Sequence, residues 1–389
     1  MRTKRIILLL IFTSFLQKIS AQERISEPVA DYQSLQLYEE ANWKELLEYG
    51  KNTINAGTDF PLLRLRTGYA AFRLGNYSQS LLHYQQVLDN YPDNETALYY
   101  VYLNHLYLNN TVMARYYADG FSEETAKELN IKPFRLSAVQ VEYSYKMPQT
   151  TTRGVAQYGR AGLHLQLGNH IELQQSVAFF NQRISETNFT SVTDNTNIAI
   201  QQKEYYAKLL ASVGKNWVLI GGFHYQYSPF NNLIYKNTVA FGGIRYYTPY
   251  AHFQAMAHVA TLANKQFTQF DGTVTAYPLG NTNLYSITRV SYGNQLTLTQ
   301  LAGVKVVKGL WAEANVTLGS YDILLENDAL YIYNDIDTKQ LKAGGSLYAS
   351  LSKNLTLSLN YTFEQKLKIY TTTTSFYQHS LNSGLSWSF

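Results

Sequence analysis

The feature that most constrains the fold is a period-two alternation of apolar and polar residues in the last two thirds of the chain. In NLTLSLNYTF (354–363), Leu and aromatic residues alternate with Asn, Thr and Ser. Successive side chains of a β-strand point to opposite faces, so this pattern predicts a strand with one apolar face. Similar segments of roughly 10–13 residues recur from residue 136 to residue 389.

The lengths of the strands and of their connections favour a transmembrane antiparallel β-barrel over 136–389. The predicted strands are about twice the usual globular length of five to six residues. Short joints alternate with longer polar segments, as in membrane barrels. Counting the short joints predicts about fourteen strands, with twelve and sixteen as alternatives. These joints are Gly168-Asn169, Gly214-Lys215, Thr248-Pro249, Gly280-Asn281, Lys308-Gly309 and Lys353-Asn354.

The longer connections and the aromatic residues fit the same interpretation. We expect polar loops at 147–154, 184–197, 228–232, 321–337 and 366–375. Trp and Tyr residues near strand ends are typical of the aromatic girdles at the two membrane interfaces. The residues predicted to belong to such a girdle are Trp217, Tyr225, Tyr227, Tyr246, Tyr247 and Tyr250.

The C-terminal segment LNSGLSWSF (381–389) continues the alternation to the last residue. Its Leu385, Trp387 and Phe389 share one face. This ending resembles the insertion signal of bacterial outer-membrane proteins, and the resemblance implies recognition by the barrel-assembly machinery and contact with outer-membrane lipid. We expect this last strand to close the barrel against the strand at 136–147.

The N-terminus has the three zones of a secretory signal peptide. Arg2, Lys4 and Arg5 precede an apolar run at 6–16, and small residues stand at 20–21 before Gln22. The apolar run is shorter than the ~20 residues that cross a bilayer as a helix. We therefore predict a signal peptide at 1–21 and a linker at 22–31, which places the barrel in the outer membrane of a Gram-negative cell.

The composition excludes several classes of site. The chain has no Cys, which excludes disulfides, thiol catalysis and thiolate metal ligands. The formal net charge of +4 over 389 residues gives no reason to expect a nucleic-acid partner. We expect no cofactor and no metal.

Residues 32–132 have a helical pattern with an internal repeat. Asn42-Trp43, Asn76-Tyr77 and Asn110-Thr111 begin at positions that are 34 residues apart. The segment 61–92 resembles a tetratricopeptide repeat, with small residues at Gly68, Ala71 and Ser80 and an aromatic residue at Tyr84. The resemblance implies two to three periplasmic repeats; the alternative is an ordinary helical bundle.

Repeats of this kind bind a peptide or a partner protein on a concave face. Trp43, Tyr99, Tyr107 and Tyr116 are the candidate residues for that face. For each of them, a place in the helical core is the alternative.

On the opposite parity from the apolar face, the barrel strands carry polar and charged residues that are expected to face the lumen. Acids and bases are mixed, which is typical of a lumen cross-linked by its own side chains rather than of an ion-selective pore. We expect Glu313 to pair with Lys342, and Arg160, His164 and Glu172 to pair around one turn. The lumen-facing candidates are Glu142, Arg160, His164, Glu172, Lys208, His224, His252, His258, Lys305, Glu313 and Lys342.

We do not expect an enzyme. His379 and Ser380 are adjacent, so on a strand they face opposite sides. His252 and His258 share a face but lie six residues apart, roughly 20 Å along a strand, which is too far to share a metal.

The order of signal peptide, helical repeats and barrel resembles the YaiO-like outer-membrane barrel family and, in architecture only, the exopolysaccharide export porins. Three functions remain open. In the first, the repeats dock a protein partner and the barrel is a subunit of an envelope assembly or export system. The second is a polysaccharide export channel, with a glycan as ligand, and the third is a simple diffusion porin.

Overall fold

The computed structural model of the protein describes residues 24–186, 196–230, 233–368 and 374–389. The chain divides into two compact units, of which the first ends at Tyr100 and the second begins at Val101. The predicted signal peptide lies outside the described residues, as do parts of the loops expected at 184–197, 228–232 and 366–375. No helix in the described ranges is both long enough and apolar enough to cross a membrane.

The described residues before the barrel form seven helices. The first begins inside the segment expected to be a linker. Their bounds are α1 (Glu27–Glu39), α2 (Trp43–Asn55), α3 (Pro61–Arg73), α4 (Tyr77–Asn90), α5 (Glu95–Tyr107), α6 (Thr111–Ala118) and α7 (Glu123–Glu128).

In the first unit, small residues allow α3 and α4 to approach closely. Gly68, Ala71 and Ser80 are buried. A Cβ atom at Gly68 would lie 2.9 Å from the ring of Tyr84. That ring is buried and stacks on Tyr100, with 4.8 Å between the ring centroids. The packing expected for the middle repeat is present, while membership of the tetratricopeptide family stays a prediction.

In the described part of the chain, fourteen antiparallel strands form a closed barrel, as predicted. Each strand pairs with its neighbours in sequence, and β1 pairs with β14. The bounds are β1 (Phe134–Pro148), β2 (Arg153–Leu167), β3 (Ile171–Glu186), β4 (Thr196–Gly214), β5 (Trp217–Phe230), β6 (Leu233–Tyr247), β7 (Ala251–Leu262), β8 (Lys265–Ala276), β9 (Leu284–Tyr292), β10 (Leu296–Val307), β11 (Leu310–Glu326), β12 (Tyr331–Ser350), β13 (Leu355–Leu367) and β14 (Ser375–Ser388).

The barrel closes through its last strand, against the segment predicted for this contact. Val139 lies opposite Trp387, and Val141 lies opposite Leu385. The last residue takes part as well, because the Phe389 N–H donates to the Ser137 carbonyl at 3.0 Å. Closure removes the unpaired edge that an open sheet would expose.

The outer surface of the barrel is a belt of exposed apolar side chains. Val259, for example, keeps 57% of its surface exposed. A belt of this extent is unfavourable in water, and a closed sheet is the only strand arrangement that satisfies its backbone in lipid. The barrel is therefore membrane-spanning and of the outer-membrane type. Exposed side chains of the belt include Val141, Phe179, Phe223, Val259, Leu298 and Leu359.

The predicted aromatic girdle needs one correction. Trp217 and Tyr246 lie on paired positions at one end of the barrel, with ring centroids 4.4 Å apart. Tyr247 is instead buried, and its ring contacts His252 and His105 on the inner side. Successive side chains of a strand point to opposite faces, so the adjacent Tyr246 and Tyr247 cannot both belong to the girdle.

The segment expected to be a polar loop at 321–337 is also different. Nearly all of it is strand, with a turn only at 327–330 between β11 and β12. The pairing of β11 with β10 ends at Leu318, and the pairing of β12 with β13 begins at Thr338. Between these points, residues 323–326 pair with residues 331–334, and we call the segment 320–338 the inner hairpin.

The inner hairpin leaves the barrel wall at Gly319. This residue has a φ of +123°, a backbone angle that residues with a side chain rarely adopt. A Cβ atom there would lie 2.7 Å from the Leu296 carbonyl oxygen. A glycine is therefore needed at the point where β11 turns away from β10.

Candidate functional site in the barrel lumen

The tip of the inner hairpin lies against the far wall of the barrel. Its residues Asn327, Asp328 and Ala329 have φ values of +52°, +56° and +59°, which form a tight turn. The Tyr206 hydroxyl of β4 donates to the Asp328 carbonyl at 3.1 Å. The His224 Nδ1 of β5 lies 2.7 Å from the Ala329 carbonyl, so this nitrogen carries the proton.

The carboxylate of Asp328 is held by β4 and by one further strand, β7. Its Oδ2 lies 3.2 Å from Lys208 Nζ of β4, and its Oδ1 accepts from the Gln254 amide of β7 at 2.7 Å. Both side chains of the ion pair are mostly buried. A charged group of β4 and an amide group of β7 thus converge on one residue of the tip.

Two more carboxylates of the inner hairpin pair with cations of the wall. Glu326 lies 2.7 Å from Lys342 and 3.6 Å from Arg289 of β9. Asp337 accepts two hydrogen bonds from the Arg153 guanidinium of β2, at 2.7 and 2.8 Å. This bidentate geometry is the strongest form of an Arg–carboxylate pair.

The base of the inner hairpin continues this arrangement. Asp335 pairs with Lys339 and lies 3.4 Å from Lys366 of β13. Glu364, also on β13, lies 3.4 Å from Lys366 and 3.6 Å from Lys339. Alternating charges therefore link the hairpin to β13.

Neutral side chains of the wall also hold the inner hairpin. The Gln269 amide of β8 donates to the Leu325 carbonyl at 2.8 Å and accepts from the Leu325 N–H at 3.0 Å. This one side chain satisfies both backbone groups of a residue that has 0% of its surface exposed. On the other arm, the Tyr331 hydroxyl donates to Glu142 at 2.8 Å.

The space left around the inner hairpin is a polar cavity of about 980 Å³. Among the predicted lumen residues, those that line it are Glu142, Arg160, His164, Lys208, His252, Glu313 and Lys342. Glu172, His224 and His258 are buried, and Lys305 lies beside the Trp311 ring near the β10–β11 turn. The inner hairpin itself was not among the predicted lumen residues, although Asp335 and Asp337 show the alternation of a strand.

One predicted ion pair is wrong. Glu313 accepts hydrogen bonds from Tyr285 and Tyr348, whereas Lys342 pairs with Glu326. In the register of β11 and β12, Glu313 lies opposite Ser346. Ser346 is four residues, or about 13 Å, from Lys342. Neighbouring strands were identified correctly, but their register was not known from the sequence.

The predicted group of Arg160, His164 and Glu172 is only partly assembled. His164 lies 3.9 Å from Glu172, whereas Arg160 pairs with Glu142 at 2.8 Å. Glu142 and Arg160 are directly opposite in the register of β1 and β2. The cross-strand position of Glu142 therefore explains why Arg160 pairs with it and not with Glu172.

Helical residues of the second unit cover the barrel end that carries the short β2–β3, β4–β5 and β6–β7 turns. Asn110 Nδ2 lies 3.2 Å from His252 Nε2 of β7. The Thr111 hydroxyl donates to Glu172 at 3.3 Å, and the Tyr117 hydroxyl donates to the Lys215 carbonyl at 3.0 Å. Asn110 and α6 are thereby tied to three places around this end.

Beneath this contact lies His105 of α5, which is fully buried and stacks on Tyr117 at 5.5 Å. Burial lowers the pKa of His105 to about 3, because the charged imidazolium is poorly solvated there. The ring is therefore neutral at physiological pH and acts as an aromatic packing group.

The four candidates for a partner-binding face have different surroundings. In the first unit, Trp43 packs on Tyr69 with Arg73 at 5.2 Å from its ring, and Tyr99 is half-buried beside Tyr100. In the second unit, Tyr107 is exposed, whereas Tyr116 packs on His170 at the β2–β3 turn.

The residues considered for catalysis are not assembled into a site. His379 lies on the outer side of β14, where its Nδ1 is 2.6 Å from the Tyr361 hydroxyl, and Ser380 is buried on the inner side. Within the described ranges, no three or more His, Asp or Glu side chains are close enough to hold a metal ion.

Comparison with known proteins gives a likeness in fold. No family model and no curated protein matches the sequence. Among solved structures, a Pseudomonas aeruginosa FadL homologue is similar at 10% identity and a TM-score of 0.45, over 66% of this chain and 90% of that one. A bacterial polysaccharide outer membrane secretin is similar at 8% identity and a TM-score of 0.41, over 65% and 98%. The TodX monoaromatic hydrocarbon channel follows at 7% identity and 0.42, over 66% and 89%.

Proposed function

We propose that the protein is an outer-membrane barrel whose N-terminal helices dock a periplasmic protein, so that it serves as a subunit of an envelope assembly or export system. The helices resemble tetratricopeptide repeats, which bind proteins rather than carry out chemistry. The predicted N-terminal signal peptide and the outward apolar belt support a place in the outer membrane of a Gram-negative cell, with the helices in the periplasm.

The observation that carries this proposal is an exposed apolar stripe on α1. Val29, Tyr32 and Leu35 recur at every third residue of this helix. Tyr32 has 69% of its surface exposed and Val29 has 56%. The buried face of the same helix uses Ala30, Ser34 and Leu37. Side chains on the other face are therefore available to a partner helix or peptide.

The state of the lumen argues against a simple diffusion porin. The inner hairpin crosses the lumen and is fastened to several strands by buried ion pairs. A simple diffusion porin conducts solutes through an open lumen and needs no hairpin across it. A lumen that holds this hairpin fits a barrel that anchors a complex, or one that opens only when a partner or cargo is present.

A capture experiment tests the docking function. An affinity-tagged full-length chain is purified from detergent-solubilised envelopes, and co-purifying proteins are identified by mass spectrometry. We expect a stoichiometric partner that is lost from Tyr32→Glu, because a charge interrupts the apolar stripe. Gln33→Glu adds the same charge at an exposed position beside the stripe and is the matched control.

The docking function is wrong if the Tyr32→Glu and Gln33→Glu proteins recover the same partners in the same amounts as the parent. The same conclusion holds if removal of residues 24–100 changes nothing in the recovered set. Equal membrane levels of all variants, judged by heat-modifiable migration of the barrel, exclude poor insertion as the cause.

The second candidate function is a polysaccharide export channel. Its support is the chemistry of the cavity, which is lined by amides and by tyrosines such as Tyr158 and Tyr348. Amides can bind sugar hydroxyls, and aromatic rings offer flat faces to pyranose rings. Conductance of the purified barrel in planar bilayers tests it: an absence of channels in a protein from which the inner hairpin has been shortened contradicts export through this lumen.

A further inference from the structure

Three cations of the barrel wall depend on the inner hairpin for their counter-charge. Among the described residues, the carboxylates within ion-pair distance of Lys208, Arg289 and Lys342 are Asp328 and Glu326, and both belong to the hairpin. Arg153 is joined to the hairpin in the same way through Asp337. These cations come from β2, β4, β9 and β12, so they surround the lumen on several sides.

The tip of the hairpin is held in the lumen through contacts that another molecule could replace. The tip is held by one ion pair, one amide and two hydrogen bonds to backbone carbonyls. These are polar contacts, whose partners exchange for other polar groups at little net cost. Each arm of the hairpin joins the barrel wall at one point, at Gly319 on the first arm and near Lys339 on the second. The hairpin is thus a separate element inside a barrel that is already closed by fourteen paired strands.

We propose that the basic wall of the lumen is a binding site for an acidic polysaccharide, and that the inner hairpin fills this site as an internal occupant when the polysaccharide is absent. The uronate or sulfate groups of such a polymer take the places of the Glu326, Asp328 and Asp337 carboxylates. The polymer and the hairpin compete for Lys208, Arg289, Lys342 and Arg153.

The rest of the lining favours a polysaccharide over an acidic polypeptide. The cavity that these cations line is also lined by Gln174, Gln202 and Asn315 and by the rings of Tyr158 and Tyr348. Amide groups donate to and accept from the hydroxyls that every sugar carries. A polypeptide has few such hydroxyls and would need the backbone pairing that only a strand edge supplies. The inference rests on the export-channel alternative and is independent of the docking function.

The experiment measures whether an acidic glycan displaces the hairpin. The chain has no Cys, so Ala329→Cys introduces a single thiol. Ala329 is 0% exposed, whereas Asn327, two residues away, is exposed and lines the cavity. The rate of reaction with a hydrophilic maleimide is measured in detergent-solubilised protein, with Asn327→Cys as the matched control for access of the reagent to the lumen.

Three probes of similar length are compared: oligogalacturonate, neutral dextran and polyglutamate. We expect oligogalacturonate to raise the labelling rate of Ala329→Cys at least severalfold and to leave the rate of Asn327→Cys unchanged or lower. Neutral dextran and polyglutamate should have little effect on Ala329→Cys. Acceleration by polyglutamate to the same extent contradicts a glycan-specific site, and no acceleration by oligogalacturonate contradicts the inference altogether.

A wall variant and a measurement on the unmodified chain complete the test. Lys208→Gln combined with Arg289→Gln should abolish the response to oligogalacturonate, whereas Lys305→Gln, near the β10–β11 turn, should preserve it. In planar bilayers, oligogalacturonate should raise the open probability of the unmodified barrel. If the barrel opens with neutral dextran and not with oligogalacturonate, the lumen exports glycans but the charge-based inference is wrong. If neither glycan opens the barrel, the export function and the charge-based inference are both wrong. The docking function, which the capture experiment tests, is unaffected by this result.

Discussion

Lys208 and Asp328 form an ion pair, with 3.2 Å between Nζ and Oδ2, that joins the barrel wall to the tip of the inner hairpin. The two residues are 120 positions apart in the chain. Lys208 belongs to β4, while the hairpin arises from β11 and β12, so the pair connects distant parts of the strand order. Around it, the lumen is bridged by a network that uses both signs of charge.

Neutralising the hairpin carboxylates should open the barrel. In Glu326→Gln combined with Asp328→Asn, the wall cations lose their counter-charges and repel one another, which favours departure of the hairpin. We expect single-channel conductance to rise well above that of the parent and to become anion-selective. The measurement is made in planar bilayers.

The matched control for that experiment is Asp322→Asn, which removes a carboxylate from an exposed position of the same hairpin. This control should behave as the parent does. Equal conductance in the double variant and in Asp322→Asn would show that the buried ion pairs do not keep the lumen closed.

Substitution of Gly319 should destabilise the point where the hairpin leaves the wall. Gly319→Ala forces a side chain into a φ of +123° and towards the Leu296 carbonyl. Strain of this kind costs about 1–3 kcal/mol. We expect the hairpin to leave the wall more often. This is measured as a higher rate of maleimide labelling of Ala329→Cys. Gly272→Ala, where a Cβ meets nothing within 4 Å, is the control and should change little.

Acid should loosen the helical contact around His105. The folded pKa is about 3, below the ordinary value of 6.5, so the unfolded chain binds the additional proton between these pH values. The stabilising contribution of the neutral ring is complete above pH 6.5 and is lost progressively as the pH falls towards 3. Thermal unfolding followed by circular dichroism at 222 nm should show a decrease in Tm between pH 7.5 and pH 5.

The variant that isolates this effect is His105→Phe, which keeps the aromatic stack on Tyr117 and cannot be protonated. Its Tm should change less between the two pH values than that of the parent. His83, whose pKa is also lowered by burial, to about 4, is present in both proteins and cancels in the comparison. An identical shift in both would rule out His105 as the source.

Replacement of the last aromatic residue should separate insertion from folding. Phe389→Ala keeps the hydrogen bond from the residue 389 N–H to the Ser137 carbonyl. It also keeps the hydrogen bond that the Arg135 guanidinium donates to the residue 389 carbonyl at 2.6 Å. We expect less folded barrel in the outer membrane but normal refolding of the purified chain into detergent micelles. Heat-modifiable migration measures both. Ser388→Ala is the control, and a refolding defect equal to the cellular one would contradict a role in recognition.

Loss of the Tyr84 ring should unfold the first unit. The ring fills the space between Gly68 and Tyr100, and removal of a buried aromatic side chain costs about 3–5 kcal/mol. In Tyr84→Ala we expect the helical signal at 222 nm to melt at a lower temperature, with the barrel signal unchanged. Tyr84→Phe keeps the ring and should melt close to the parent.

Much of the fold could be predicted because its determinants are local. Alternation over ten or more residues specifies a strand and its lipid face, and glycine or polar joints specify its ends. The count of fourteen strands and the closure of β14 on β1 followed from those signals. The small residues around Tyr84 identified the close approach of α3 and α4 by the same kind of reasoning.

The lumen contacts could not be predicted, because they depend on register and on long-range position. Glu313 and Lys342 lie on neighbouring strands, yet an offset of four residues gives each a different partner. The sequence predicts a loop at 321–337 because the run Ile323-Leu324-Leu325 interrupts the alternation that is expected of a wall strand. The sequence by itself determined a closed membrane barrel with N-terminal helices. Only the tertiary structure decided that residues 320–338 fold inwards, because their ion-pair partners come from strands far away in the chain.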